Sequence, residues 1–107
     1  MAKFYTLGCY TDKGLAGFVS NPSRDRKAAT SALAASVGAK VTQYSGLRGK
    51  YDFMAVIEGT FDQAAAAAMV AVSSGAVSDF TILEDIDLNN IATTAQKMAS
   101  SYKEPGK

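Results

Sequence analysis

Tyr51 and Asp52 are the adjacent side chains in this sequence best suited to chemistry. A carboxylate held between apolar walls has a raised pKa and serves as a general base. A neighbouring phenol orients a carbonyl or a phenolate. Both residues fall in an expected strand, Tyr51 to Glu58, where successive side chains point to opposite faces. Only one of the two can then face a given pocket. In the plainer reading, Asp52 accepts backbone N–H bonds and pins the hairpin or the loop from Asp12 to Ala16.

Tyr5, Tyr10 and Tyr44 form the next set. They either line a cavity for an aromatic ligand or pack in the core and across strands. Tyr10 stands out because it ends a strand beside a glycine-containing loop. Arg48 and Lys50 sit in a hairpin connection, where they are either solvated or able to bind a carboxylate or phosphate. Arg24 and Arg26, near a helix start, read as surface residues. Cys9 has apolar and aromatic neighbours and reads as a small buried hydrophobe rather than a nucleophile. Glu58, Asp62, Glu84, Asp85 and Asp87 offer oxygen ligands, but not in the Asp/Asn-rich loop of a calcium site. Neither a metal site nor a cofactor is expected.

Composition narrows the chemistry further. The 107 residues include no histidine and no tryptophan. A His-ligated metal or haem, a Ser-His-Asp triad and a Cys-His dyad are therefore impossible within the chain. One cysteine cannot form an intrachain disulfide, which fits a reducing compartment. Eleven basic and ten acidic residues leave a net charge of +1, with no long like-charge block to attract nucleic acid. The most apolar stretch, Ala64 to Val72, is too short to span a bilayer. The first residues lack the apolar run of a signal peptide. A cytoplasmic protein with no membrane or nucleic-acid partner is expected.

The elements that must position these residues follow from pattern and punctuation. Lys3 to Thr11 reads as a strand, Asp12-Lys13-Gly14 as a turn, and the stretch to Ser20 as a loop. Asn21-Pro22 signals a helix start, and Ala29, Leu33 and Val37 would face a sheet until Gly38 ends the helix. Lys40 to Leu47 and Tyr51 to Glu58 read as a hairpin. Thr60-Phe61-Asp62-Gln63 matches a capping box opening a second helix to about Ser73, which Gly75 ends. Val77 to Ile86 is a fourth strand. The order β-α-β-β-α-β makes an α+β, ferredoxin-like fold: a four-stranded antiparallel sheet with both helices on one face. The opposite face stays bare, so a homodimer through that face is expected. Leu88, Ile91, Ala95, Met98 and Tyr102 mark an apolar stripe on a third helix. It either covers its own sheet edge or the dimer seam, or joins dimers into larger assemblies. The chain thus divides into a domain over residues 1–87 and a helix and tail over 88–107.

Four segments resemble the GYD family: Tyr10-Thr11-Asp12-Lys13-Gly14, Pro22-Ser23-Arg24, Gly38-Ala39-Lys40-Val41 and Gly49-Lys50-Tyr51-Asp52-Phe53. The last carries the Gly-x-Tyr-Asp signature that names the family. The resemblance spans about residues 3–87 and implies a dimeric α/β barrel. Wider relatives of that fold include cofactor-independent monooxygenases, isomerases, haem enzymes and small-molecule-sensing domains, so fold alone does not fix the activity. The oxygenases and haem enzymes often rely on His, Trp or Asn, of which the first two are absent here. Three functions stay open. The first is a small-molecule-binding or regulatory protein, with Tyr10, Tyr44, Tyr51, Asp52 and Arg48 at the ligand. The second is a cofactor-independent isomerase or monooxygenase using Asp52, Tyr51 and Tyr10 on a polar aromatic or keto compound. The third is a structural assembly protein.

Overall fold

Alternation along the first strand sets the layers. Phe4, Thr6 and Gly8 are buried, while Tyr5, Leu7 and Cys9 are only half-buried. The strand, β1 (Ala2–Tyr10), is therefore covered on one face and open on the other. The computed structural model describes residues 2–106, so Met1 and Lys107, the outer ends of the two expected segments, lie outside it. β2 (Lys40–Gly46), β3 (Phe53–Gly59) and β4 (Val77–Glu84) complete an antiparallel sheet in the order β2-β3-β1-β4. Phe4 lies opposite Ile57 and Gly8 opposite Phe53. Thr6 lies opposite Ile82, and Tyr44 opposite Ala55.

Helices α1 (Asp12–Ser20) and α2 (Arg26–Ala35) follow β1, α3 (Phe61–Ser73) follows β3, and α4 (Leu88–Ala99) follows β4. α2 and α3 pack against the covered face. The core between the layers holds Phe4, Ala34, Ala39, Val41, Ile57 and Ala64. Small side chains on α3 bring it close: Ala64 is fully buried and Ala68 nearly so. The α+β, ferredoxin-like arrangement expected from the sequence is present, with α1 and α4 added to its basic pattern.

The capping box forms as its sequence requires. The Gln63 backbone N–H donates to the Thr60 hydroxyl at 3.1 Å, and the Thr60 N–H donates to Gln63 Oε1 at 2.9 Å. Gln63 Nε2 also donates to the Val37 carbonyl at 2.6 Å, tying the end of α2 to the start of α3. Gly38 and Gly75, each with φ 83°, end the segments that follow α2 and α3.

Several local expectations are corrected. The stretch from Asp12 to Ser20 is not a turn and loop but α1, capped by the Thr11 hydroxyl, which accepts from the Gly14 N–H. Asn21-Pro22 does not open a helix. Asn21 caps the end of α1, and α2 starts at Arg26 behind Asp25, whose carboxylate accepts from Ala28 at 3.0 Å. Val37 lies beyond α2 and is half exposed rather than facing the sheet. Tyr51 and Asp52 precede β3 instead of lying within it, and β4 ends at Glu84. The helix with the C-terminal stripe does not cover its own sheet edge. All its residues are exposed, and the radius of gyration is 18.4 Å against about 13 Å for a compact chain of this length.

One close approach fixes how α1 sits. A Cβ on Gly14 would lie 2.4 Å from the Ala76 carbonyl oxygen, a backbone atom that cannot swing aside. Gly14→Ala gains about 1 kcal/mol of helix propensity, but the overpacking costs about 1–3 kcal/mol. Urea denaturation should therefore show a net loss for Gly14→Ala. Gly46→Ala, with nothing within 4 Å, should stay within about 0.5 kcal/mol of the parent. Equal stabilities for the two variants would contradict this account of α1.

Candidate functional site

Phe53 is the centre of an aromatic cluster beneath the helices. It opens β3 opposite Gly8, where a Cβ would come within 2.8 Å of its ring, so glycine on β1 lets the ring lie across the strand. The Tyr44 ring stacks on Phe53 at 5.7 Å with planes 1° apart. Tyr10 lies against it at 5.0 Å, tilted by 32°, and Phe80 meets it edge-on at 6.2 Å. Phe18 from α1 packs edge-on against Tyr10 at 5.0 Å. Phe80 reaches the cluster through a bulge. Asp79, with φ 50°, and Phe80 together face the single residue Gly8 across the ladder.

These rings leave a cavity of about 190 Å³ between sheet and helices. A cavity near 150 Å³ accommodates benzene. Ala29 and Leu33 of α2, and Ala67, Val70 and Ala71 of α3, form its helical wall. The small side chains there leave room that the aromatics opposite do not fill. At the polar end the Tyr10 and Tyr44 hydroxyls share a short hydrogen bond, and Arg26 lines the same end. No carboxylate is among the described residues lining the cavity. Thr6 also borders it, but its hydroxyl is spent on the Ala55 carbonyl at 2.9 Å.

Burial pushes the Tyr10 phenol well above its ordinary pKa, the hydrogen bond to Tyr44 adds to this, and the nearby Arg26 guanidinium opposes it. Tyr10 is therefore a neutral phenol at physiological pH. One phenol O–H is spent in the bond between Tyr10 and Tyr44, so the cavity end offers one free phenol O–H beside a guanidinium, a set that favours an oxygen acceptor on an otherwise apolar molecule.

The sequence candidates divide sharply. Tyr10 and Tyr44 meet in the cavity. Asp52 does not line it: its Oδ2 accepts from the Tyr10 backbone N–H at 2.9 Å. Its own N–H donates to the Gly8 carbonyl and its carbonyl accepts from Leu47. Tyr51 lies on the opposite side of the sheet, with its hydroxyl 3.2 Å from that of Thr81 and the Lys50 ammonium 5.6 Å from its ring centre. Arg48 is exposed in the hairpin connection and does not line the cavity. Tyr5 is on the open face, donating to Asp85 at 2.8 Å. Cys9 is half-buried on that face, with its thiol 3.3 Å from the Lys50 carbonyl. Among the described residues no group of three or more Cys, Asp or Glu side chains is placed to hold a metal. No helix among them is long and apolar enough to cross a membrane.

Arg26 is the cavity residue that sequence reasoning assigned to the surface. No signal in the sequence marks it: it begins α2, and only the packing of that helix turns it toward Tyr10.

Fold and cavity together define a ferredoxin-like α+β domain with an aromatic-walled cleft between its layers. The GYD domain sequence model matches residues 4–95, and the chain belongs to the GYD family. The match continues past Asp87 into α4, further than the segments that carry the resemblance. The fold is similar to the crystal structure of TTHA0845 from Thermus thermophilus, with a TM-score of 0.52 and 15% sequence identity. That similarity covers 81% of this chain and 95% of the other, and at such identity it speaks to the fold alone. No curated protein matches the chain.

The raised Tyr10 pKa has a defined consequence for stability. The folded-state value lies above the unfolded value of about 10. The contribution of neutral Tyr10 is thus complete below pH 10 and is lost as pH rises from there through the folded pKa. Urea midpoints between pH 9 and 11 should fall with pH in the parent chain and fall less in Tyr10→Phe. Parallel declines would mean that Tyr10 ionises like a free tyrosine.

Proposed function

We propose that this chain is a small-molecule-binding protein whose ligand occupies the cavity between sheet and helices, with an oxygen held by Tyr10 and Tyr44. The observation that carries this reading is the pairing of an apolar cavity with converging phenol groups at one end. A binding role is favoured over proton abstraction because Asp52, the best base in the sequence, is engaged with backbone outside the cavity. Acetophenone is a suitable probe, with an aromatic body and a carbonyl acceptor. Ligand-observed NMR should detect its binding to the parent chain. Losing both hydroxyls in Tyr10→Phe/Tyr44→Phe should weaken it by about fivefold, the worth of one hydrogen bond. Ala71→Leu, which fills the cavity, should abolish it. No binding to the parent chain, or undiminished binding to Ala71→Leu, would remove the cavity from consideration.

The same proposal includes a homodimer formed through the open sheet face. Leu7, Cys9, Met54 and Leu83 lie there without a covering helix, Leu83 being 52% exposed. An apolar sheet face of this kind is stabilised by burial against a second one. α4 then packs on another copy of the chain, either at the dimer seam or between dimers. Its Leu88 and Met98 are 68% and 67% exposed, and Tyr102 just beyond it is 68% exposed. Sedimentation should report a dimer or larger species that Met54→Arg converts to monomer. Removing residues 88–107 should leave the domain folded, and a smaller assembly would place α4 between dimers. A monomeric parent chain would end this part of the proposal.

A further inference from the structure

A second cleft, of about 220 Å³, adjoins the cavity and shares Tyr10 and Arg26 with it. Its other walls come from α1, from Arg24 in the link to α2, and from Ala76 before β4. Lys13, Arg24 and Arg26 border it, and among the described residues lining it none is acidic. The three cations converge through the fold. Lys13 is held by donating to the Ser74 carbonyl at 2.9 Å. Arg24 lies across Gly17 of α1, where an added Cβ would be 3.6 Å from Nη1. Arg26 starts α2 and faces both spaces. Three cations bordering one cleft repel one another, and an anion placed among them relieves that repulsion. A guanidinium also matches the two oxygens of a carboxylate in a planar, bidentate fit.

We infer that the ligand is an aromatic or alkyl carboxylate, with its apolar body in the cavity and its carboxylate in the cleft among Lys13, Arg24 and Arg26. This assignment rests on the cavity reading above and adds the chemical class of the ligand and a second set of residues. The Tyr10–Arg26 boundary is where the ligand passes from apolar to charged surroundings. The Tyr10 and Tyr44 hydroxyls then meet an oxygen of the ligand at that boundary rather than at a buried end.

The test compares 3-phenylpropanoate with its uncharged counterpart 3-phenylpropan-1-ol by protein-observed NMR at pH 7. The carboxylate should bind the parent chain about tenfold more tightly, the gain of one charge-assisted contact. In Lys13→Met/Arg24→Gln the two should bind within about threefold of each other. Arg24→Gln alone serves the same comparison if the double variant does not fold, because that side chain is exposed and covers the cleft without supporting the core. Equal binding of acid and alcohol to the parent chain, or unchanged preference in the variants, overturns the carboxylate assignment and leaves the cavity reading intact. Binding of neither overturns both.

Discussion

The carboxylate of Asp52 holds together the part of the molecule on which the cavity depends. The β1–β3 ladder reaches only to Gly8 and Phe53, so the Tyr10 N–H has no strand partner on that side. Asp52 Oδ2 takes its place at 2.9 Å. Through its backbone the same residue also bonds Gly8 and Leu47, so one position joins β1, the hairpin connection and the start of β3. A hydrogen bond to an ionised acceptor contributes about 1.5–3 kcal/mol. Its larger effect is geometric. With the Tyr10 backbone fixed, the ring turns under α1 and its hydroxyl meets Tyr44, and Thr11 follows in position to bond Ala76 and cap α1.

From that anchor the aromatic cluster orders itself by size. Gly8 removes a side chain so that Phe53 can lie flat across β1, and Tyr44, Tyr10 and Phe80 close around it. Each such pair adds about 0.5–1.5 kcal/mol beyond its buried area. The helices answer with alanines rather than with large side chains. Close packing on α3 is achieved at Ala64 and Ala68, whereas Ala67 and Ala71, one turn along and on the cavity side, leave space. A dense core and an unfilled cavity therefore share one helix, separated by its periodicity.

What was legible in the sequence was what local chemistry decides. The capping box at Thr60, the glycines after α2 and α3, and the strand pattern of β1 need only a few neighbouring residues, and they specify the βαββαβ order. α1 was hidden because Gly14 and Gly17 lower its propensity and Asp12-Lys13-Gly14 has turn composition. It forms because Thr11 caps it, Phe18 packs on Tyr10 and Gly14 fits against Ala76. Asn21-Pro22 is a sound local start signal that lost to Asp25, since the chain must first leave α1. Asp52 is a backbone acceptor, but the N–H it takes is that of Tyr10 on β1 rather than one of the hairpin or of the loop from Asp12 to Ala16, and across 42 residues no local pattern names that partner. Arg26 needed the tertiary structure entirely, because the side of α2 that faces the end of β1 is set by how the helix crosses the sheet.

The two faces of the sheet are finished to different degrees, and α4 belongs with the unfinished one. On the helical side Phe4, Val41 and Ile57 pack with Ala34 and Ala64 of the helices. On the other side Tyr5 uses its hydroxyl to hold Asp85, whose N–H bonds the Lys3 carbonyl, so the chain leaves β4 in a fixed direction. That direction carries α4 away from the domain. A twelve-residue helix is marginal in water on its own. The Asp87 cap contributes about 1 kcal/mol, which is less than the ordering of its residues costs. Its Leu88, Ile91, Ala95 and Met98 recur on one side and are exposed. The helix and the bare sheet face thus share one feature, apolar side chains that the domain leaves exposed.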